Sequence, residues 1–166
     1  LANMTWPQVE QYLKTNDLII IPIGSTEQHG PSGLISTDHL CATAIAEEVA
    51  RLGNWIVAPA INYGMSFHHM NFAGSATLKP STLLAVVKDV IWSFYKHGFK
   101  KIIFINGHGG NTATLSAAFS ETKYECEPLY LGFFNWWNHP SLSAKIQELY
   151  GESEGHHATC GEISVS

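Results

Sequence analysis

The sequence predicts an α/β protein, a three-layer sandwich with a mainly parallel central sheet flanked by helices. Short apolar runs rich in β-branched and aromatic residues alternate with segments of helical periodicity. Strands that alternate with helices favour parallel pairing, with helices on both faces of the sheet. Because ligand sites in such sheets form beyond the carboxyl ends of the strands, we expect the chemistry in the loops that follow the strands.

The strands are predicted from continuous apolar runs, which are typical of parallel strands buried on both faces. In chain order the runs are DLIIIPI, NWIVAPAI, KKIIFIN and PLYLGFF, at residues 17–23, 54–61, 100–106 and 128–134. Their length suits a strand better than a helix, which needs more than ten residues to pack well.

The helices are predicted where apolar residues recur every three or four positions. In chain order they cover residues 4–14, 39–53, 81–98, 112–121 and 142–151. Thr5 and Pro7 suit the start of the first helix, and Gly53 and Gly98 suit the ends of the second and third. The predicted core face of the second helix consists of Cys41, Ile45, Val49 and Leu52.

Composition restricts the classes of function. The net charge is −5 and the 9 Lys and Arg residues are scattered, which argues against a nucleic-acid partner. No apolar run approaches the roughly 20 residues that cross a bilayer, and the first residues lack a signal-peptide pattern, so no membrane partner is expected. The 3 cysteines have no paired spacing, which favours a reducing, cytoplasmic location. The 9 histidines indicate metal binding or proton transfer.

Polar residues follow the first strand, in the segment GSTEQHGPSGLISTD. Glu27 and His29 are two residues apart, so in an extended segment both side chains lie on one side. Together with Asp38, they offer ligands that suit zinc or manganese. Taken singly, Asp38 also fits a helix N-cap, Glu27 a solvated charge and His29 a loop donor.

His108 follows the third strand, in the segment FINGHGGN. The glycines on either side of His108 let the backbone approach a ligand closely, and the next helix presents free N–H groups. An incidental histidine in a glycine turn and a phosphate cradle are the alternatives. The chain has no G-x-x-x-x-G-K-[ST] pattern, and a histidine in the turn favours a metal over a phosphate.

Glu162 lies in the last predicted helix, which begins within HHATCGEISVS. Thr159 and Glu162 have the spacing of a capping box, which explains Glu162 without a metal. His156, His157 and Glu162 are also expected where a fifth strand would end. From there the carboxylate of Glu162 could reach the same site.

The three blocks GSTEQHGPSGLISTD, FINGHGGN and HHATCGE resemble the signature blocks of the creatininase (creatinine amidohydrolase) family. The resemblance extends from Ile20 to Glu162 and implies two divalent metal ions, Zn²⁺ or Mn²⁺. By position, the implied ligands are Glu27 and His108 for one ion, His29 and Glu162 for the other, and Asp38 as the bridge. The resemblance also implies a homo-oligomer, typically a hexamer.

The implied reaction is hydrolysis of a C–N bond in a small amide, cyclic or simple, by a hydroxide that bridges the metals. Asp38 and Glu162 belong to the implied catalytic set, and His157 matches a family histidine near the substrate that is suited to proton transfer. The predicted substrate contacts are Gly109, Gly110, Trp136 and His69. Creatininase itself has tyrosine and glutamate at the positions of Gly109 and Gly110, which argues against creatinine as the substrate.

The chain over residues 1–166 is therefore expected to be a single creatininase-like catalytic domain that lacks the C-terminal part of the family fold. Its expected partner is a small-molecule amide. One alternative is a non-catalytic relative that serves as a binding or assembly module, against which the intact ligand set argues. Another is a ureohydrolase-like or phosphoester-cleaving enzyme, against which the absence of a D-x-H-x-D cluster argues.

Overall fold

Four parallel strands form one sheet in the order β2-β1-β3-β4. The computed structural model describes all residues, Leu1–Ser166. The strands are β1 (Leu18–Ile23), β2 (Ile56–Val57), β3 (Lys101–Asn106) and β4 (Tyr130–Asn135). The helices are α1 (Trp6–Leu13), α2 (Thr37–Gly53), α3 (Pro80–Lys96), α4 (Thr112–Thr122), α5 (Pro140–Tyr150) and α6 (Cys160–Val165). None of them combines the length and apolarity that a bilayer crossing requires.

The sheet separates two apolar layers, which confirms the predicted three-layer α/β sandwich. Ile19, Ile21 and Ile23 of β1 face the larger layer, where the strands pack against α3 and α4. Ile20 points to the opposite face, where α2 covers the sheet. The alternation follows from the two-residue period of a strand, and it explains why every residue of the run is apolar.

The core face of α2 differs from the prediction at Leu52. Its buried apolar residues are Cys41, Ala42, Ala46 and Ala50. Leu52 is 75% exposed, because it falls outside the stripe that the alanines form. The left-handed residue that ends α2 is Asn54, with φ 53°, and Gly53 belongs to the helix. Small side chains on this face let α2 lie close to the sheet.

The second strand is shorter than predicted. The backbone groups of Ile20 and Pro22 face it, and Pro22 has no N–H group to donate to it. Beyond β2, the N–H groups of Ala58 and Ile61 donate to Ile20 and Pro22, and the carbonyl of Ile61 accepts from Gly24.

No fifth strand precedes His157. That segment follows α5, so it approaches the sheet edge from a helix and not from a strand end. The capping box of Thr159 and Glu162 at the start of α6 is confirmed.

Candidate metal centre

Polar side chains converge at the carboxyl edge of the sheet, where the loop after β1, the turn after β3 and the first turn of α2 meet. Glu27, His29, Asp38 and His108 are 1, 1, 2 and 5% exposed. Burying charged groups is costly unless they are paired or bound to a metal. Burial of these four side chains therefore costs folding free energy unless a cation or ion pairs compensate their charge.

Asp38 lies between the two histidines. Its Oδ1 is 3.1 Å from Nε2 of His29, and its Oδ2 is 3.2 Å from Nδ1 of His108. The same Nδ1 of His108 is 3.2 Å from Oε1 of Glu27. Asp38 is in the first turn of α2, whose N-cap is Ser36, so the N-cap alternative for Asp38 does not hold. One carboxylate thus presents a separate oxygen to each imidazole.

Backbone carbonyls orient both imidazoles. Nδ1 of His29 lies 3.2 Å from the carbonyl oxygen of Glu27, and Nε2 of His108 lies 2.9 Å from that of Met65. A carbonyl oxygen only accepts, so these nitrogens carry hydrogen and donate. The other nitrogen of each ring is then directed at the carboxylates. Metal-binding histidines commonly have this arrangement, in which one ring nitrogen is anchored and the other is free to coordinate.

Three buried atoms of the cluster make no hydrogen bond of acceptable geometry: Oε2 of Glu27, Nε2 of His29 and Oδ2 of Asp38. The last two lie 3.1 Å from Oδ1 of Asp38 and 3.2 Å from Nδ1 of His108, so these contacts are close but poorly directed. Buried polar atoms in proteins nearly always have a partner, so unpaired atoms that face one another require an explanation. The ligand atoms of Glu27, His29 and Asp38 all lie within 4.8 Å of one another. Carboxylate oxygens and imidazole nitrogens fit a divalent zinc or manganese ion.

The pKa values of Glu27, His29 and His108 are shifted in the directions that keep the carboxylate negative and the imidazoles positive. Burial alone would raise the pKa of Glu27, but contact with His108 outweighs burial and lowers the pKa to about 2. Burial likewise opposes the charge of His108, but Asp38 and Glu27 raise its pKa to about 10. The pKa of His29 is raised despite burial, by Asp38. In the metal-free protein, protons on His29 and His108 therefore compensate the negative charge of the carboxylates.

We expect the stability of the metal-free protein to fall at alkaline pH. The pKa of His108 rises from an ordinary 6.5 to about 10, so its stabilising contribution is complete below pH 6.5 and is lost as the pH rises towards 10. The pKa of Glu27 falls from 4.5 to about 2, so its contribution is present above pH 4.5 and is lost as the pH falls towards 2. Urea unfolding between pH 6 and pH 10 measures the free energy of unfolding.

The matched comparison for this experiment is His108→Gln, which should flatten the alkaline slope, with the exposed His139→Gln as control. An unfolding free energy of the wild-type protein that stays constant from pH 6.5 to pH 10 would contradict the pKa of His108 given above.

A cleft of about 690 Å³ opens onto the cluster. The residues predicted to contact substrate all line it: Gly109, Gly110, Trp136 and His69. The lining includes Glu154, which the sequence analysis did not single out, and contains neither lysine nor arginine. Its charged side chains near the cluster are therefore carboxylates and imidazoles.

Glu162 also lines the cleft, but its carboxylate makes a different contact. It accepts a hydrogen bond from the backbone N–H of Thr159 at 2.9 Å. The ion pairs of the cluster join Glu27 and Asp38 to histidines and do not include Glu162. The structure thus brings together four of the predicted ligands, and coordination by Glu162 remains a prediction.

His157 lines the cleft beside Glu27 and is partly exposed to solvent. Its Nε2 is 2.8 Å from the backbone carbonyl oxygen of Gln28, so this nitrogen donates. Its Nδ1 is 3.9 Å from Oε1 of Glu27. The side chain is 35% exposed. Nδ1 thus faces Glu27 from a ring that solvent partly reaches.

Asparagine side chains tie the loops together. Asn111 donates to the carbonyl of Gly24 at 2.9 Å and accepts from the N–H of Met65 at 3.1 Å. Asn106 donates to the carbonyl of His108 at 2.7 Å, which closes the turn after β3. Met65 has no signal in the sequence, because what orients His108 is the backbone carbonyl of Met65, and any residue type supplies that group.

A family model described as "Creatininase: Creatinine amidohydrolase" matches residues 2–166. The chain belongs to the creatininase family. It is 34% identical over 164 residues to the 3-dehydro-scyllo-inosose hydrolase of Thermotoga maritima, covering 98% of this chain and 53% of that protein. It is 37% identical over 123 residues to the mycofactocin precursor peptide peptidase of Mycobacterium tuberculosis, covering 65% of this chain and 47% of that protein. The chain thus spans about half the length of these relatives.

Solved structures of creatininase have the same fold. A manganese form and a mutant of the Zn-Zn type each match at 28% identity and cover 92% of this chain and 63% of their own. Their TM-scores are 0.81 and 0.79. These matches confirm the predicted family and fold. They also show that members of the family bind divalent metals.

Proposed function

We propose that the chain forms the metal-binding part of a creatininase-family hydrolase that cleaves a C–N bond of a small amide. The observation that carries the proposal is the position of Asp38, whose two oxygens each face a different, carbonyl-anchored histidine. A carboxylate in this position suits a bridge between two cations. Zn²⁺ or Mn²⁺ would be held by Glu27 and His108 on one side and by His29 and Glu162 on the other.

Bound divalent ions would supply Lewis acidity and lower the pKa of water at the site. The remaining tasks fall to residues of the chain. Glu27, Asp38 and the two histidines hold the charge in place, and their burial excludes bulk water from the reacting side. The N–H groups of the turn at Gly109 and Gly110 lie in the cleft wall, where they would face the carbonyl oxygen of a bound amide.

His157 would supply the proton that the leaving nitrogen needs. When the C–N bond breaks, the oxygen of water stays on the carbonyl carbon and the nitrogen leaves with a proton. Nδ1 of His157 faces the site, while the Nε2–H group is held by the carbonyl of Gln28. A ring fixed at one nitrogen and free at the other is suited to general acid–base catalysis.

The lining of the cleft favours an uncharged, polar substrate. A phosphate or carboxylate group usually binds to arginine or lysine, and the lining has neither. Trp136 and Trp137 provide an aromatic wall against which a flat ring could stack. Small amides, cyclic or linear, combine these properties. Creatinine is not favoured, because Gly109 and Gly110 offer no side chain to recognise it.

The proposal is tested by hydrolysis assays on protein loaded with Zn²⁺ or Mn²⁺. The substrates are cyclic amides, formamides, short peptides and an inosose, because the relatives named above act on a peptide and on an inosose. We expect release of amine or ammonia from an amide, loss of turnover with chelator and recovery with metal. If the metal-loaded protein hydrolyses no amide, the proposed activity is wrong for this chain, and the binding or assembly alternative is favoured.

The role of His157 is tested with His157→Gln. Loss of a general acid is expected to lower kcat by roughly 100- to 10,000-fold. Metal content should not change, because His157 is not among the proposed ligands. His139→Gln, the same substitution at an exposed position, serves as control. Turnover by His157→Gln equal to that of the control would remove His157 from the reaction.

A further inference from the structure

Gln28 lies between two proposed metal ligands in the chain, and its side chain contacts two histidines of the cleft. Its Oε1 is 2.8 Å from the backbone nitrogen of Gly30. Its Nε2 is 2.9 Å from Nδ1 of His69. It also lies 3.1 Å from Nε2 of His157, but that contact is not a hydrogen bond, because Nε2 of His157 donates to the backbone carbonyl of Gln28. The amide therefore connects the loop after β1 to His69 in the wall of the cleft.

The contact with Gly30 fixes which way the amide faces. A backbone N–H group can only donate, so the atom it contacts must be the amide oxygen. The NH₂ group then faces His69 and can only donate, so Nδ1 of His69 must accept. A neutral imidazole that accepts at Nδ1 carries its hydrogen on Nε2. Nε2 of His69 is 3.5 Å from Oε1 of Glu27, so an N–H group is directed at that carboxylate.

This assignment decides between two possible metal sites. One group consists of Glu27, His29 and Asp38, and the other of Glu27, His69 and His157; each brings its ligand atoms within 4.8 Å of one another. His29 donates through Nδ1, which leaves the lone pair of Nε2 for a metal. His69 has the opposite arrangement, with its lone pair bound to Gln28 and hydrogen towards Glu27. An N–H nitrogen does not coordinate a cation.

We propose that Gln28 is a positioning residue that holds His69 in the tautomer with hydrogen on Nε2. This tautomer excludes His69 from metal coordination and reserves Glu27 for the group with His29 and Asp38. The inference rests on the proposed function in assigning Glu27 to a metal. The state of His69, however, is a property of the protein without metal, so it is measured independently of any activity.

The test is long-range ¹H–¹⁵N NMR of the imidazoles in metal-free protein. In the wild-type protein we expect His69 to show hydrogen on Nε2 and a lone pair on Nδ1. In Gln28→Glu the introduced carboxylate can only accept, so Nδ1 of His69 should carry hydrogen and lose its lone-pair shift. Gln147→Glu adds the same charge at another residue of the cleft lining, and its spectrum should match the wild type.

Titration with Zn²⁺, followed by the same signals, gives a second readout. In Gln28→Glu the Nε2 signal of His69 should shift on metal addition, whereas in the wild type and in Gln147→Glu it should not. Gln28→Met removes both donor and acceptor, and should give a mixture of tautomers even if the charged variant fails to fold.

Hydrogen on Nδ1 of His69 in the wild type, or a wild-type tautomer in Gln28→Met, would overturn the proposal. Absence of zinc binding combined with the expected tautomers would instead count against the proposed function and leave the role of Gln28 in place.

Discussion

Asp38→Asn is expected to weaken binding of Zn²⁺ and Mn²⁺ by at least about 100-fold, since even residues that only support metal ligands cost 10- to 100-fold. The substitution keeps the size of the side chain and removes its charge. Both oxygens of Asp38 contact histidines of the cluster, so both proposed metal positions lose a ligand at once. Isothermal titration calorimetry measures the affinity, and circular dichroism checks that the fold is kept.

The control is Asp89→Asn, the same chemical change at an exposed position of α3. It should bind metal as the wild type does. Equal affinities for Asp38→Asn and Asp89→Asn would place the metal elsewhere, and the other three-residue group, which includes His69 and His157, would then be the first position to examine.

Gly107→Ala is expected to destabilise the protein by about 3 kcal/mol, the upper range for overpacking. A Cβ atom at this position would overlap the backbone carbonyl of Asp38 and would approach the side chain of Ala42. The turn after β3 and the start of α2 therefore fit together only if residue 107 has no side chain. Relief of the overlap would move Asp38, so metal affinity should fall together with stability.

Gly109→Ala is the matched control, two residues along the same turn. A Cβ atom there would meet no heavy atom within 4 Å. We expect a change in the free energy of unfolding of no more than about 0.5 kcal/mol, as for most exposed substitutions. Urea unfolding of both variants gives the comparison, and a Gly107→Ala protein as stable as Gly109→Ala would show that the turn and α2 are not in close contact.

Gly110 illustrates a constraint of another kind. A Cβ atom at Gly110 would overlap the carbonyl of Met65 and crowd Nε2 of His108. That carbonyl is the group that anchors the imidazole. The chain thus has glycine at this position because the histidine and its backbone acceptor must approach each other directly beside it.

Much of the fold follows from local pattern. The continuous apolar runs of β1 and β3 predict buried parallel strands, and the structure pairs Ile23 with Asn106 at the carboxyl edge. The second strand and the core face of α2 were less predictable. The β2 pairing depends on which N–H groups face β1, and Leu52 is exposed because the packing of α2 depends on its alanines. The length of β2 and the exposure of Leu52 are thus decided by contacts between elements and not by local sequence.

The residues of the candidate site were predictable from the sequence, but the directions of their side chains were not. Glu27, His29, Asp38 and His108 follow strands in recognisable motifs, and the structure brings them together. Backbone carbonyls contact the rings of His29 and His108, and the amide of Gln28 contacts that of His69. A backbone carbonyl carries no sequence signal, and the sequence does not show which ring a side-chain amide will contact. The contact of Glu162 with Thr159 was predicted from its capping-box spacing, but that spacing does not decide whether the same carboxylate also binds a metal.

Metal content and position test most directly the claim that two cations share Asp38. The protein would be loaded with Zn²⁺ or Mn²⁺, its bound metal counted by mass spectrometry, and the ions located by anomalous diffraction. We expect two ions per chain, one on each side of Asp38, with His29 bound through Nε2 and His108 through Nδ1. Protein that binds no metal, or that binds a single ion at His69 and His157 away from Asp38, would contradict the claim.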